Sequence, residues 1–274
     1  MPELPEVEIV RRGLMDGLIG RTIGSVEVHE HRLRWPLPAD FGARLQGSRI
    51  LAIDRRGKYL QLRLDRDRTL LVHLGMTGQL RLFETTDLPP PGAHDHVDIR
   101  LADGRCLRYT DIRRFGSMHL YEGADAAQPL LAHLGVEPLS DAFTERHLRE
   151  RLAHRRAAIK LVLMDATVVA GVGNIYANEA LFRAGIRPTT PAHRLGRTRV
   201  AKLVAEVRAV LAEAIEAGGT TLRDFVHADG GTGYFQLDTF VYGREGLPCR
   251  VCGTTLRALR QANRATVYCP RCQR

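Results

Sequence analysis

Met1-Pro2-Glu3-Leu4-Pro5-Glu6-Val7-Glu8-Ile9-Val10, followed by Leu14 and Leu18, is the stretch from which the rest of the chain can be read. Pro5 suits the first turn of a helix, where its missing N–H leaves no gap in the hydrogen-bond ladder. Val7, Val10, Leu14 and Leu18 then recur with helical spacing, so one apolar face needs a layer to pack against. Pro2 stands just ahead of this helix start, and removal of an initiator methionine before proline would make it the first residue. Its secondary amine would titrate as an α-amino group does, near ~7.7–8.0 against ~10.4 for lysine, which leaves a neutral, nucleophilic fraction at neutral pH. A helix amino end disfavours positive charge and moves the amine further toward that form. On local pattern alone, Glu3, Glu6 and Glu8 are equally well explained as ordinary decoration of a helix start.

Outward from this helix the pattern turns to strands. Runs at Thr22–His29, Arg49–Asp54, Lys58–Leu64, Thr69–Leu74, Gln79–Phe83, Val97–Leu101, Arg105–Thr110 and Ser117–Tyr121 are separated by turn residues and predict an eight-stranded sandwich or barrel. Beyond about residue 125 the periodicity is helical, with segments at Glu145–Ala153, Ala157–Leu163, Asn174–Ala184 and Val200–Ala217. A stretch from Gly218-Gly219 to Gly230-Gly231-Thr232-Gly233 has the composition of a mobile loop or a linker. The expected organisation is an α+β multidomain chain with boundaries 1–125, 126–217, 218–242 and 243–274.

The chain has 274 residues, 40 Lys and Arg against 31 Asp and Glu, and a formal charge of +9. Only Lys58, Lys160 and Lys202 are lysines, so the basic side chains are overwhelmingly arginine, whose planar fork suits phosphate. Residues 243–274 carry seven arginines against Glu245 alone, which makes the end of the chain a basic module. No run of about 18 apolar residues occurs, and the acidic start lacks the regions of a signal peptide, so a cytoplasmic protein without a membrane segment is expected.

Four of the five cysteines form Cys249-x2-Cys252-x16-Cys269-x2-Cys272. Two such knuckles close around one tetrahedral zinc, and four thiolates leave no open position, so the ion is structural. Thr254–Tyr268 between them is long enough for a β-hairpin. Cys106, in the alternating segment Arg105–Tyr109, reads as filler rather than nucleophile.

Three further segments pair a glycine turn with functional side chains: Arg56-Gly57-Lys58-Tyr59, His73-Leu74-Gly75-Met76-Thr77-Gly78 and Asp111-Ile112-Arg113-Arg114-Phe115-Gly116. Together with the opening, with Gly171-Val172-Gly173-Asn174-Ile175-Tyr176 and with the four-cysteine end, they resemble the formamidopyrimidine-DNA glycosylase family, in order and over the whole chain. The resemblance implies an N-terminal helix plus eight-stranded β-sandwich, a helix-two-turn-helix domain and a β-hairpin zinc finger. It implies a monomeric, bacterial, nucleoid-associated enzyme of base excision repair. Such an enzyme excises 8-oxoguanine and formamidopyrimidines from damaged double-stranded DNA, then cuts the strand by β,δ-elimination.

Carried over by motif, Pro2 is the nucleophile that forms a Schiff base at the sugar C1′, Glu3 the general acid that opens the ring, and Glu6 its support. Lys58 contacts phosphate at the lesion and assists catalysis. Met76, Arg113 and Phe115 match the wedge that fills the space of an extruded base. His73, Asn174 and Arg264 are matched to phosphate contacts, His73 with a satisfied structural histidine as the alternative, and Lys160, on a helix, is either a phosphate contact or part of a solvated face. Thr220, Thr221 and Tyr234 fall in the loop that the family folds over the extruded base. Two departures stand out: Gln261-Ala262-Asn263 replaces the glycines usual before the hairpin arginine, and Ile9 replaces a usual threonine. The sister class of endonuclease VIII type prefers oxidised pyrimidines; Leu4 and the Met76, Arg113, Phe115 set favour the purine enzyme. A non-catalytic zinc-ribbon protein that only binds duplexes is the reading from another class.

Overall fold

The computed structural model describes residues 2–218 and 239–274. They fall into two compact units, residues 2–132 and residues 133–217 with 239–274. In the first unit helix α1 (Leu4–Leu18) is followed by β1 (Ile23–Val28), the short α2 (Phe41–Leu45), β2 (Ile50–Arg56), β3 (Tyr59–Leu64), β4 (Arg68–His73), β5 (Gly78–Phe83), β6 (Asp95–Leu101), β7 (Cys106–Asp111), β8 (Ser117–Glu122) and α3 (Pro129–Ala132). The eight strands make two antiparallel sheets, ordered β1-β6-β7-β5 and β2-β3-β4-β8. Alternation in the sequence sends Leu60, Leu62, Leu70, Val72 and Met118 from one sheet, and Leu80, Val97, Ile99 and Leu107 from the other, into a single core. Val7, Val10, Leu14 and Leu18 of α1 enter the same core, so the helix closes it against β2, β3 and β5.

All eight predicted strands are present, shifted by at most two residues at their ends. Helix α2 has no counterpart in the sequence reading, because its five residues are too few to show a period. Cys106 is fully buried in β7, and burial pushes its thiol up to about 11, which keeps it protonated and inert.

The second unit holds α4 (Glu145–Leu152), α5 (Ile159–Leu163), α6 (Asn174–Ala184), α7 (Arg197–Glu216) and the hairpin β9 (Arg257–Gln261) with β10 (Arg264–Tyr268). Thr144 caps α4, its hydroxyl accepting from the His147 N–H at 3.1 Å. Helix α7 starts at Arg197, a turn ahead of the predicted Val200, since Arg197, Thr198 and Arg199 carry no apolar signal to mark the start. Among the described residues no helix is long and apolar enough to cross a membrane.

Because α1 is held to the sandwich by its apolar stripe, Leu14→Ala is expected to cost about 2–5 kcal/mol of stability. The midpoint of urea unfolding followed by circular dichroism measures it, and an unchanged midpoint would contradict the packing.

Candidate functional site

In the first unit the candidate side chains lie at the start of α1 and on three turns. Glu3 caps the helix in a reciprocal box: its carboxylate accepts from the Glu6 backbone N–H, and its own N–H donates to Glu6 Oε2 at 2.8 Å. Both the decorative and the functional reading therefore meet in the same residues. Unlike ordinary surface decoration, however, Glu3 is 2 % exposed, Glu6 is fully buried, and Pro2 beside them is buried as well. One turn further, Glu8 accepts from Arg11, Arg12 and Arg55. Burial alone would raise the Glu8 carboxyl, but the bonds from Arg11 and Arg55 outweigh it and hold it below the usual carboxylate range.

Lys58 is half-buried in the two-residue turn between β2 and β3. The neighbouring Tyr59 ring lies 4.8 Å from that of His73 at the end of β4. Burial first, then the cations of Lys58 and Arg34, push His73 down to about 4, so its imidazole is neutral. Nδ1 accepts the Gly75 N–H at 3.0 Å, which leaves the ring proton on Nε2. His73 thus acts on the turn that displays Met76, and what it offers an anion is a neutral donor rather than a charge.

Met76, at 36 % exposure, and Phe115, at 44 %, stand on two loops that touch through backbone. Gly75 has φ +62, and a Cβ there would lie 2.4 Å from the Gly116 nitrogen. A Cβ on Gly116 would in turn lie 1.8 Å from the Tyr109 hydroxyl, so neither position admits a side chain. Asp111, fully buried, is the knot between the loops. Its Oδ1 accepts from the Thr77 hydroxyl at 2.5 Å, and its Oδ2 from the Gly116 N–H at 2.8 Å and the Tyr109 hydroxyl at 3.1 Å. Thr77 Oγ1 accepts the Arg113 N–H at 3.0 Å, and the Arg113 guanidinium lies over the Phe115 ring at 4.6 Å. Ile112, 54 % exposed, adds an apolar side chain to the same loop. Asp111, Thr77 and Tyr109 were missed as organisers; the signal was the polar residue flanking each quoted glycine motif.

In the second unit Asn174 is the first residue of α6, after Gly173 as the cap. Its carbonyl accepts from Asn178 Nδ2 at 2.6 Å. Arg264 is exposed and opens β10, immediately after Ala262 and Asn263, whose φ of +47 and +61 make the tight turn. Asparagine tolerates this region and alanine does not, so the tip is held in a strained form where glycine would be relaxed.

Lys160 corrects the expectation of a phosphate contact or a solvated face. It is fully buried, and its ammonium donates to the Ala265 carbonyl at 2.9 Å and the Thr266 hydroxyl at 2.6 Å, so it secures the hairpin from within. Glu179, also missed, is buried in α6 and accepts from the N–H groups of Phe240, Val241 and Tyr242 at 2.8, 3.0 and 2.8 Å. It fixes the chain where it returns from the glycine-rich stretch. Thr220, Thr221 and Tyr234 lie outside the described residues.

The four cysteines of the two knuckles converge, every sulfur within 4.8 Å of the others. Cys249 and Cys272 are 4.0 Å apart and Cys252 and Cys269 3.5 Å, too far for disulfides. A tetrahedron of thiolates about 2.3 Å from a zinc ion has edges of roughly 3.8 Å, between these two values. The set fits one structural zinc ion. Glu27, His29 and Asp98 also cluster, but both oxygens of Asp98 accept from Arg108 at 2.7 Å, which makes that group an ion-pair network.

Three family models cover most of the chain: the formamidopyrimidine-DNA glycosylase N-terminal domain over residues 1–118, the H2TH domain of the same enzymes over 134–226, and a zinc finger found in FPG and IleRS over 246–274. A formamidopyrimidine-DNA glycosylase of Pseudomonas aeruginosa is 54 % identical over 274 residues, the full length of both chains. Among solved structures, MutM (Fpg) from Thermus thermophilus superposes with a TM-score of 0.88 at 42 % identity, over 99 % of this chain and 98 % of that one. The Lactococcus lactis Fpg complexed with DNA containing an abasic site gives a TM-score of 0.90 at 35 % identity over all of both chains.

With His73 held neutral to about pH 4, the unfolded chain takes up a proton below about 6.5 that the folded protein refuses. Stability therefore falls between those two pH values, and urea midpoints at pH 7 and pH 4.5 are expected to differ less for His73→Asn than for the parent. For the knuckles, metal analysis is expected to find one zinc per chain and almost none after Cys269→Ser.

Proposed function

The chain belongs to the formamidopyrimidine-DNA glycosylase family, and from that premise we infer a bifunctional DNA glycosylase and AP lyase of base excision repair with Pro2 as its nucleophile. The single observation that carries the role of Pro2 is where it sits: buried, next to two buried carboxylates, on the capped end of a helix that is itself part of the core. A terminal amine so placed is positioned rather than mobile, and the helix dipole favours its neutral form.

The reaction then runs on the chain's own residues. The Pro2 nitrogen forms a bond to C1′ of the damaged nucleotide while the C1′ bond to the base breaks, and the proton that the nitrogen gives up leaves with the base, which restores the nitrogen lone pair. Glu3 delivers a proton to the ring oxygen as the sugar opens, and the nitrogen lone pair completes the iminium, a Schiff base. Loss of a proton from C2′ expels the 3′ phosphate by β-elimination, and δ-elimination releases the 5′ side. Glu6, bonded to the Glu3 N–H, holds the general acid in place. Lys58 binds phosphate at the lesion. The zinc ion supplies no chemistry to these steps; held by Cys249, Cys252, Cys269 and Cys272, it shapes the hairpin.

Bases must leave the stack before C1′ can be reached. Met76 and Phe115 are exposed apolar groups on loops locked by Asp111, which suits them to occupy the vacated space. Arg113, stacked on Phe115, offers its donors to the orphaned cytosine. Asn174 and the amide end of α6 hold phosphate, as does Arg264 at the hairpin tip. The substrate is damaged double-stranded DNA, with 8-oxoguanine and formamidopyrimidines as the excised bases. A lesion on one strand has no two-fold symmetry, so a single chain suffices, working on the bacterial nucleoid in the cytoplasm.

Borohydride reduction on a duplex with 8-oxoguanine or an abasic site is expected to leave a covalent protein–DNA adduct, with peptide mapping locating the crosslink at Pro2. Intact mass of the same sample is expected to show Met1 removed. Pro2→Gly should lose the adduct, and faster cleavage of thymine glycol than of 8-oxoguanine would overturn the purine assignment.

A further inference from the structure

We infer that Arg55 is a positioning residue, which fixes the Lys58 turn against the helix that carries the nucleophile. The inference rests on the roles given above to Pro2 and Lys58. Arg55 lies near the end of β2, two residues before the turn, with a side chain only 11 % exposed. Its Nε donates to Glu8 Oε2 at 3.0 Å, and its Nη1 donates to the Gly57 carbonyl at 3.1 Å. One planar group therefore joins a carboxylate of α1 to the backbone of the residue preceding Lys58.

The helix side of this strut is itself braced. Glu8 is held by Arg11 and Arg12 from its own helix, and Arg11 Nη1 donates across to the Ile53 carbonyl of β2 at 3.1 Å. Gly57 and Lys58 are the whole connection between β2 and β3, and a two-residue hairpin tip is set in place by what grips its carbonyls. Nε and Nη1 lie on different edges of the guanidinium, so both bonds form together, and a lysine ammonium at this position reaches one acceptor or the other. Glu8 and Arg55 touch no reacting atom. Their effect on chemistry passes through the placement of Lys58, and small misplacements of a reacting group carry large rate costs.

The experiment is single-turnover borohydride trapping on an abasic duplex at saturating protein, run as a cycle of wild type, Arg55→Lys, Lys58→Ala and the double variant. Arg55→Lys keeps the ion pair with Glu8, so the unfolding midpoint should hold, and DNA affinity is expected to stay within about twofold. Trapping by Arg55→Lys is expected to slow by about tenfold. In the Lys58→Ala background the same change should alter trapping by less than about twofold, because Arg55 acts through Lys58. Equal slowing in both backgrounds, or no slowing in either, would overturn the inference while the wild-type adduct still stood. A wild-type enzyme without an adduct would overturn the functional reading and this inference together.

Discussion

The ends of a fold are ordinarily its loosest parts, and here Glu3 and Glu6 are tied together at the start of α1. Everything assigned to Pro2 depends on the burial of Glu3 and Glu6 in the capping box that starts α1. The box satisfies backbone donors that a helix start leaves open, and the stripe of Val7, Val10, Leu14 and Leu18 anchors the helix in the sandwich core. Neither would suffice alone. A capped helix without a buried face would wander with its loop, and a buried helix with a frayed first turn would leave the amine unplaced.

The two loops bearing Met76 and Phe115 meet the same demand by other means. They have no helix to ride on, so their rigidity comes from close backbone approach at Gly75 and Gly116 and from the hydrogen bonds that converge on Asp111. Exposed apolar side chains on such a frame keep their position without packing beneath them. His73 contributes by staying uncharged: a proton on Nδ1 would break its bond to Gly75.

Most of the fold was legible because its signals are local. Alternation marked the eight strands, helical spacing marked α1 and α6, and paired knuckles marked the metal site. What stayed hidden were side chains whose partners are far along the chain. Lys160 meets Thr266, 106 residues later; Glu179 meets Val241, 62 residues later; Arg55 meets Glu8, 47 residues earlier. Nothing at position 160 distinguishes an ammonium facing phosphate from one enclosed by a strand, since both use a lysine on a short, otherwise apolar helix. Met76 and Phe115 are residue types that most often pack in a core, and the family resemblance is what marked them for the surface, where they stand.

The enclosure of Lys160 ties the fate of the metal to that of the helices. Its acceptors sit on β10, the strand that runs into Cys269, and the Val267 N–H is bonded to Asn178 of α6 at 3.1 Å. If the sulfurs let go of their ion and the hairpin opened, the buried ammonium would lose the Ala265 and Thr266 oxygens it donates to, and a buried charge deprived of such partners costs several kcal/mol unless water enters or the proton leaves. The finger is thus no detachable appendage: demetallation would loosen α5 and α6 as well, and a chain trimmed before Cys249 would lose helical order along with its tip.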